Sequence, residues 1–253
     1  MKTHAKTVET SATAKTVPPA LAAVAVNSAT PETPIASAST TSFRSWRDGL
    51  EVVGFWALTL VYIWRIEFRG SVALDVICVL LLGAIPILSL WQRRETPRDI
   101  GLRLDNLTHS AREVGIATIV AATLIVACGI AAGGALHPSM DLIPIGLGYA
   151  VWGLLQQLAL QGFVQRRLSA VFRDERITAL ASAMLFASLH LPNPVLVPAT
   201  LVTGYVWCRL YRRAPNLITL ACSHAALAVA AMATFPPAWI HDLRIGPGYW
   251  LYG

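Results

Sequence analysis

An all-α, polytopic bundle of transmembrane helices is the fold class this sequence predicts, and three observations predict it. Of the 253 residues, 55% are hydrophobic and 13% charged, whereas soluble domains carry about 25% charged residues. Mean hydropathy is +0.56. Beyond residue 43 the apolar residues gather into runs approaching the roughly 20 residues that cross a bilayer, with arginines collected between them.

Residues 1–43 are rich in Ala, Thr, Ser, Pro and Val and poor in large apolar side chains. They bury too little surface to offset chain entropy and read as a disordered tail. A transmembrane domain follows over residues 44–236. Its spans run from about Leu50 to Trp64, Val72 to Trp91, Val114 to Leu136, Ile143 to Phe163, Ile177 to Leu191, Val195 to Leu210 and Leu217 to Phe235. The shorter ones rely on flanking Trp and Arg to reach the interfaces. Residues 237–253 are too short and polar for a further span and read as an interfacial tail or lid. Ser110-Ala111-Arg112-Glu113 fits a capping box that would open the third span.

The net charge of +6 reports topology before it reports partners. Arg93, Arg94, Arg98, Arg103 and Arg112 lie between spans two and three. Arg166, Arg167, Arg173 and Arg176 lie between four and five, and Arg209, Arg212 and Arg213 between six and seven. Alternate loops hold few, so the positive-inside rule places the N-terminus in the cytoplasm. No basic face with groove-reading or stacking elements is present, which excludes a nucleic-acid partner. Cys78, Cys128, Cys208 and Cys222 lie in or beside apolar spans without disulfide or zinc spacing and read as small core hydrophobes. No metal or other cofactor is expected.

Span four breaks the apolar pattern. Gly153, Gln157, Gln161 and Gln165 recur every four residues, with Gln156 about 100° away around the helix. An unpaired amide in hydrocarbon costs several kcal/mol, so these groups need partners. In span five Ser182, Phe186 and His190 share a face, and in span seven Asn216, Leu220, His224 and Ala228 do. Antiparallel packing of spans four and five can bring Gln157 to His190. As interhelical glue such groups contribute about 0.6 kcal/mol each. Two histidines and a glutamine pair on three helices also fit a functional cavity.

These residues carry a family resemblance. Gln156-Gln157-Leu158-Ala159-Leu160-Gln161-Gly162 resembles the first motif, Glu-Glu-x-x-x-Arg followed by Gly, of the CPBP family of CAAX-protease and bacteriocin-processing (Abi) membrane proteins. Phe186-Ala187-Ser188-Leu189-His190 matches its second motif, Phe-x-x-x-His. His224-Ala225-Ala226-Leu227-Ala228 is similar to the third, His-x-x-x-Asn, in its histidine. The resemblance covers about residues 100–230. It implies an intramembrane glutamic endopeptidase of a bacterial plasma membrane, acting on membrane-embedded or lipidated polypeptides. Gln156, Gln157, Gln161, His190 and His224 would then stand at catalytic motif positions, with Phe186 and Ala228 lining the substrate cavity.

The departures bear directly on chemistry. In the family a glutamate activates water; an amide only donates and accepts hydrogen bonds and cannot take that proton. Loss of a general base costs about 10²–10⁴-fold in rate. Exchanging Glu, Glu and Arg together for amides keeps the site neutral, because an arginine left without its carboxylate would be an uncompensated charge. Histidine has a pKa suited to replace the base. Three readings follow: a peptidase with His190 or His224 as base, a pseudoprotease that binds a helix or lipidated tail without cutting it, and a small transporter. The last lacks an internal repeat.

Overall fold

The computed structural model describes residues 35–137 and 141–251, with side chains from Ser45 onward. All its regular structure among these residues is helical. The main helices are α1 (Ile35–Arg65), α2 (Val72–Gln92), α3 (Leu107–Ala131), α4 (Leu142–Gln157), α5 (Arg166–Val171), α6 (Glu175–Ser188), α7 (Leu196–Arg213) and α8 (Leu217–Thr234). A π-helical segment, Leu158–Gln165, joins α4 to α5. Two short helices close the chain, α9 (Pro237–Ile240) and α10 (Gly248–Leu251). The tail expected over residues 1–43 lies outside the described residues as far as 34, and α1 occupies its remainder.

Five segments are long and apolar enough to cross a membrane: Ser45–Arg69, Val72–Gln92, Leu107–Ala131, Leu142–Val171 and Leu217–Thr234. Those expected at Ile177–Leu191 and Val195–Leu210 correspond to α6, of 14 residues, and α7, which is long enough but too polar over its length. The outer helices expose large aliphatic side chains, among them Leu80, Leu81, Ile119, Leu147 and Val151. Contiguous apolar surface of this extent needs lipid against it, and the chain is an integral membrane protein.

Burial locates the centre of the bundle. Of α8, 56% is buried inside the bundle, against 6% of the apolar stretch of α2. α8 packs on both α3 and α4, and α6 pairs with α7. Leu217, Leu220 and Leu227 of α8 join Leu160, Phe186, Trp207 and Tyr211 in one apolar core. Hydroxyls tie the helices across it: Ser110 Oγ lies 2.8 Å from Thr219 Oγ1, and Thr118 Oγ1 lies 2.6 Å from Ser223 Oγ. The expected capping box is therefore overturned. α3 begins at Leu107 with Asn106 at its N-cap, and Ser110 sits inside the first turns, its hydroxyl facing α8 instead of the helix end.

Asn216 starts α8. Its Oδ1 accepts from the N–H groups of Ile218 and Thr219, while its Nδ2 donates to the Arg103 carbonyl and to Asn106 Oδ1. Asp174 caps α6 likewise through the N–H groups of Arg176 and Ile177. At the arginine-rich ends, Glu51 and Glu95 gather Arg93, Arg166 and Arg167. Arg93 Nη2 lies 2.9 Å from Glu51, Arg167 Nη1 2.8 Å from Glu95 and Arg166 Nη2 2.6 Å from Glu95, and Arg93 also pairs with Asp48. These ion pairs clamp α1, α2 and α5 together.

Candidate active site

The helix containing the amides does not keep α-helical geometry. From Leu158 to Gln165 the backbone follows i→i+5 bonding, a rare arrangement that widens the turn and is frequent at functional sites. A wider turn brings residues spaced by four closer to one face than 3.6 residues per turn would. Gln157 and Gln161 are fully buried and Gln165 is 2% exposed. Gln156, off this line, is half-buried.

No protein group hydrogen-bonds either amide atom of Gln157 or Gln161 among the described residues, nor Oε1 of Gln156 or Gln165. The thiol of Cys208 stands in range of Gln161, but a thiol is a weak partner. Gln165 alone is half-satisfied, donating from Nε2 to the Cys208 carbonyl at 2.8 Å. Orphaned buried amides are costly and call for a partner that the described side chains do not supply.

Gly153 sets the approach of α4 to α8. A Cβ there would lie 3.1 Å from His224 Cβ and 3.3 Å from the Ala221 carbonyl oxygen, so a side chain at this position would press on α8 by a few tenths of an ångström. Gln157 follows Gly153 by one helical turn, about 6 Å along the same helix. The Nδ1 of His224 is buried without a partner.

His190 follows the end of α6, where Leu189 is the C-cap. Its Nδ1 lies 2.8 Å from the Phe186 carbonyl oxygen. A carbonyl can only accept, so Nδ1 carries the hydrogen and Nε2 is left with its lone pair. Phe186 stands between the histidines, its ring edge-on to His190 at 4.8 Å and to His224 at 6.2 Å. Trp207 stacks on His224 at 5.2 Å and 22° and donates its Nε1–H to Ser223 Oγ at 3.0 Å. Gly204 makes room for Phe186, since a Cβ there would meet its ring at 3.3 Å.

Phe186, His190 and His224 thus come together across three helix segments, with Ala228 buried one turn beyond His224 on α8. The expected meeting of Gln157 with His190 does not take the form of a hydrogen bond. Trp207 escaped sequence reasoning. The one available signal was an indole donor inside an apolar span, a group that needs a buried acceptor.

Asn193 anchors the site from below. Fully buried, it donates from Nδ2 to the carbonyls of Ile240 and Arg244 at 2.9 and 3.1 Å, and its Oδ1 accepts from the N–H groups of Val195 and Leu196. Gly246 N–H donates to the Leu191 carbonyl at 2.7 Å. The C-terminal segment therefore docks against the turn that carries His190. Three successive non-glycine residues in it, His241, Asp242 and Leu243, hold positive φ, a conformation that persists where the surroundings over-determine it.

Residues 138–230 match the family model described as Rce1-like: type II CAAX prenyl endopeptidase Rce1-like. The match spans well under half of the chain but includes all three motifs. No curated protein and no solved structure matches the chain. The matched region lies within the stretch of about residues 100–230 that resembles the CPBP family, and the chain is a membrane protein that carries a region similar to Rce1-like CAAX prenyl endopeptidases over residues 138–230.

Proposed function

We propose that this protein processes membrane-embedded or lipidated polypeptides by endopeptidase-type chemistry of reduced power, with His190 in place of the family's glutamate as base. The observation that carries the reading is the fixed ring of His190. With Nδ1–H engaged by the Phe186 carbonyl, the Nε2 lone pair is oriented and available to take a proton from water. His224, held by Trp207 and the Gly153 contact, is placed to polarise the scissile carbonyl. Gln156, Gln157 and Gln161 supply amide donors and acceptors for the peptide groups of the substrate. The N-terminus faces the cytoplasm of a bacterial cell and the arginine-rich loops lie on that side.

A second reading, a pseudoprotease that binds the same segments uncut, is favoured by amides in place of carboxylates at both glutamate positions, Gln157 fully buried and Gln156 with its Oε1 buried. A membrane cleavage assay with a lipidated reporter tail separates the two. The native chain should cleave slowly, His190→Ala should abolish cleavage, and Gln156→Glu/Gln157→Glu combined with Gln161→Arg should raise the rate by about 10²–10⁴-fold. Reporter binding without cleavage by the native chain would establish the pseudoprotease instead.

A further inference from the structure

Residues 236–251 cover the helix ends opposite the arginine-rich loops, and several contacts fix that placement. The segment leaves α8 directly after Thr234. α10 packs on the turn Glu67–Arg69 that joins α1 to α2, and Trp250 lies 6.2 Å from Trp64 at the end of α1. The connection from α3 to α4 reaches the same level, since the His137 N–H donates to the Ala233 carbonyl at 2.9 Å. The apolar spans that hold α1, α3 and α8 end here, and those of α2 and α4 begin here. The segment therefore lies at a surface of the bilayer.

The α6–α7 pair does not reach that surface unaided. α6 starts at the arginine-rich end, where Glu175 pairs with Arg212. It has 14 residues, about 21 Å of helix, whereas the hydrocarbon layer is about 30 Å thick. The turn after it, which carries His190, Leu191 and Asn193, stops short of the far surface. Irregular backbone at such depth persists where protein covers it. Residues 236–251 supply that cover: Asn193 Nδ2 donates to the Ile240 and Arg244 carbonyls, and the Gly246 N–H donates to the Leu191 carbonyl. Gly246 has φ +56° and fits tightly on α1, where a Cβ would come within 2.7 Å of Ile63 Cγ2 and 3.0 Å of its carbonyl oxygen. Beneath the segment His190 is buried.

The same segment carries an amphipathic exposed surface. Trp239, Trp250 and Leu251 are 47, 61 and 59% exposed, and Asp242 and Arg244 are exposed between them in the chain. Indoles interleaved with charges suit neither bulk water nor hydrocarbon alone. They match the headgroup boundary, where tryptophan concentrates.

We propose that residues 236–251 are a lipid-anchored cover over the histidine site. Trp239, Trp250 and Leu251 seat in the headgroup boundary of the leaflet opposite the arginine-rich loops. Through Asn193 and Gly246 the anchored segment holds the His190 turn closed against water on that side. Such a cover serves a cleaving and a non-cleaving protein alike.

Fluorine NMR of the full-length, fluorotryptophan-labelled protein in phosphatidylcholine nanodiscs tests the anchor, with lines assigned by Trp239→Phe and Trp250→Phe. Both lines should broaden more with a phosphatidylcholine bearing a nitroxide near its headgroup than with a soluble gadolinium chelate. Amide hydrogen exchange in the same nanodiscs tests the cover. The triple variant Trp239→Ser/Trp250→Ser/Leu251→Ser should exchange about tenfold faster at His190, Leu191 and Asn193, while α3 and α8 keep native protection. Its three sites are exposed, so the bundle does not rest on them for folding. Stronger broadening by the chelate would make the segment a water-facing surface, and no broadening by either agent would assign the tryptophans to a protein contact. Either result overturns the anchor. Unchanged exchange at the His190 turn in the triple variant, or equal acceleration throughout α3 and α8, overturns the cover.

Discussion

Gln157 shows how a single residue divides stability from function. Both its amide atoms are buried without partners, so replacing it by leucine of similar size removes two unpaired polar atoms. Gln157→Leu should therefore leave stability unchanged or raise it by about 1–3 kcal/mol, read from thermal melting in detergent. The same variant should lose substrate cleavage or binding if the amides serve the cavity. A drop in melting temperature would instead reveal a buried network that Gln157 completes. The two histidines and the glutamines stand out in the sequence because polar groups in apolar runs require partners, and Phe186 stands out through the resemblance of Phe186–His190 to a family motif. Trp207 was not legible, since its role comes from the Ser223 hydroxyl across a helix boundary.

At the scale of elements, two helix contacts make distinct predictions. Gly153→Val should weaken α4–α8 packing, because its first carbon already meets His224 at 3.1 Å and backbone at 3.3 Å. Such overpacking costs about 1–3 kcal/mol and should lower the melting temperature while moving His224 away from Trp207, detectable as changed indole fluorescence. Asp174, at the start of α6, responds to pH. The N–H groups of Arg176 and Ile177 hold its carboxyl below the usual range. A lowered carboxylate contributes stability that is present above the unfolded pKa, about 3.9, and is lost as pH falls through the folded value. Amide exchange at Arg176 and Ile177 should accelerate in that acid window, and Asp174→Asn should flatten the dependence. The π-segment is the element that sequence could not anticipate. Spacing by four is compatible with an α-helix, and the choice between i→i+4 and i→i+5 bonding depends on what packs around Leu158–Gln165.

Across the whole molecule, the C-terminal segment ties distant parts of the chain to the site. Trp250 lies 6.2 Å from Trp64 at the end of α1, Gly246 bonds Leu191, and Asn193 bonds the carbonyls on either side of the left-handed turn. Asn193→Ala should release this segment, exposing it to limited proteolysis after residue 236 while the bundle stays folded. Cleavage no faster than in the native chain would show that the ring contacts suffice to hold it.

By itself, the sequence determined the membrane class, the all-helical fold, the motif positions and the neutral character of the site. Each of these follows from local composition and period: apolar runs must meet lipid, and polar groups within them must cluster. Tertiary structure alone decided that α8 is the central helix, that the turn at Leu158–Gln165 is wide, that Trp207 backs His224, and that the C-terminal segment docks on the turn carrying His190. These depend on which helices touch, and contacts between residues a hundred positions apart leave no periodic trace along the chain.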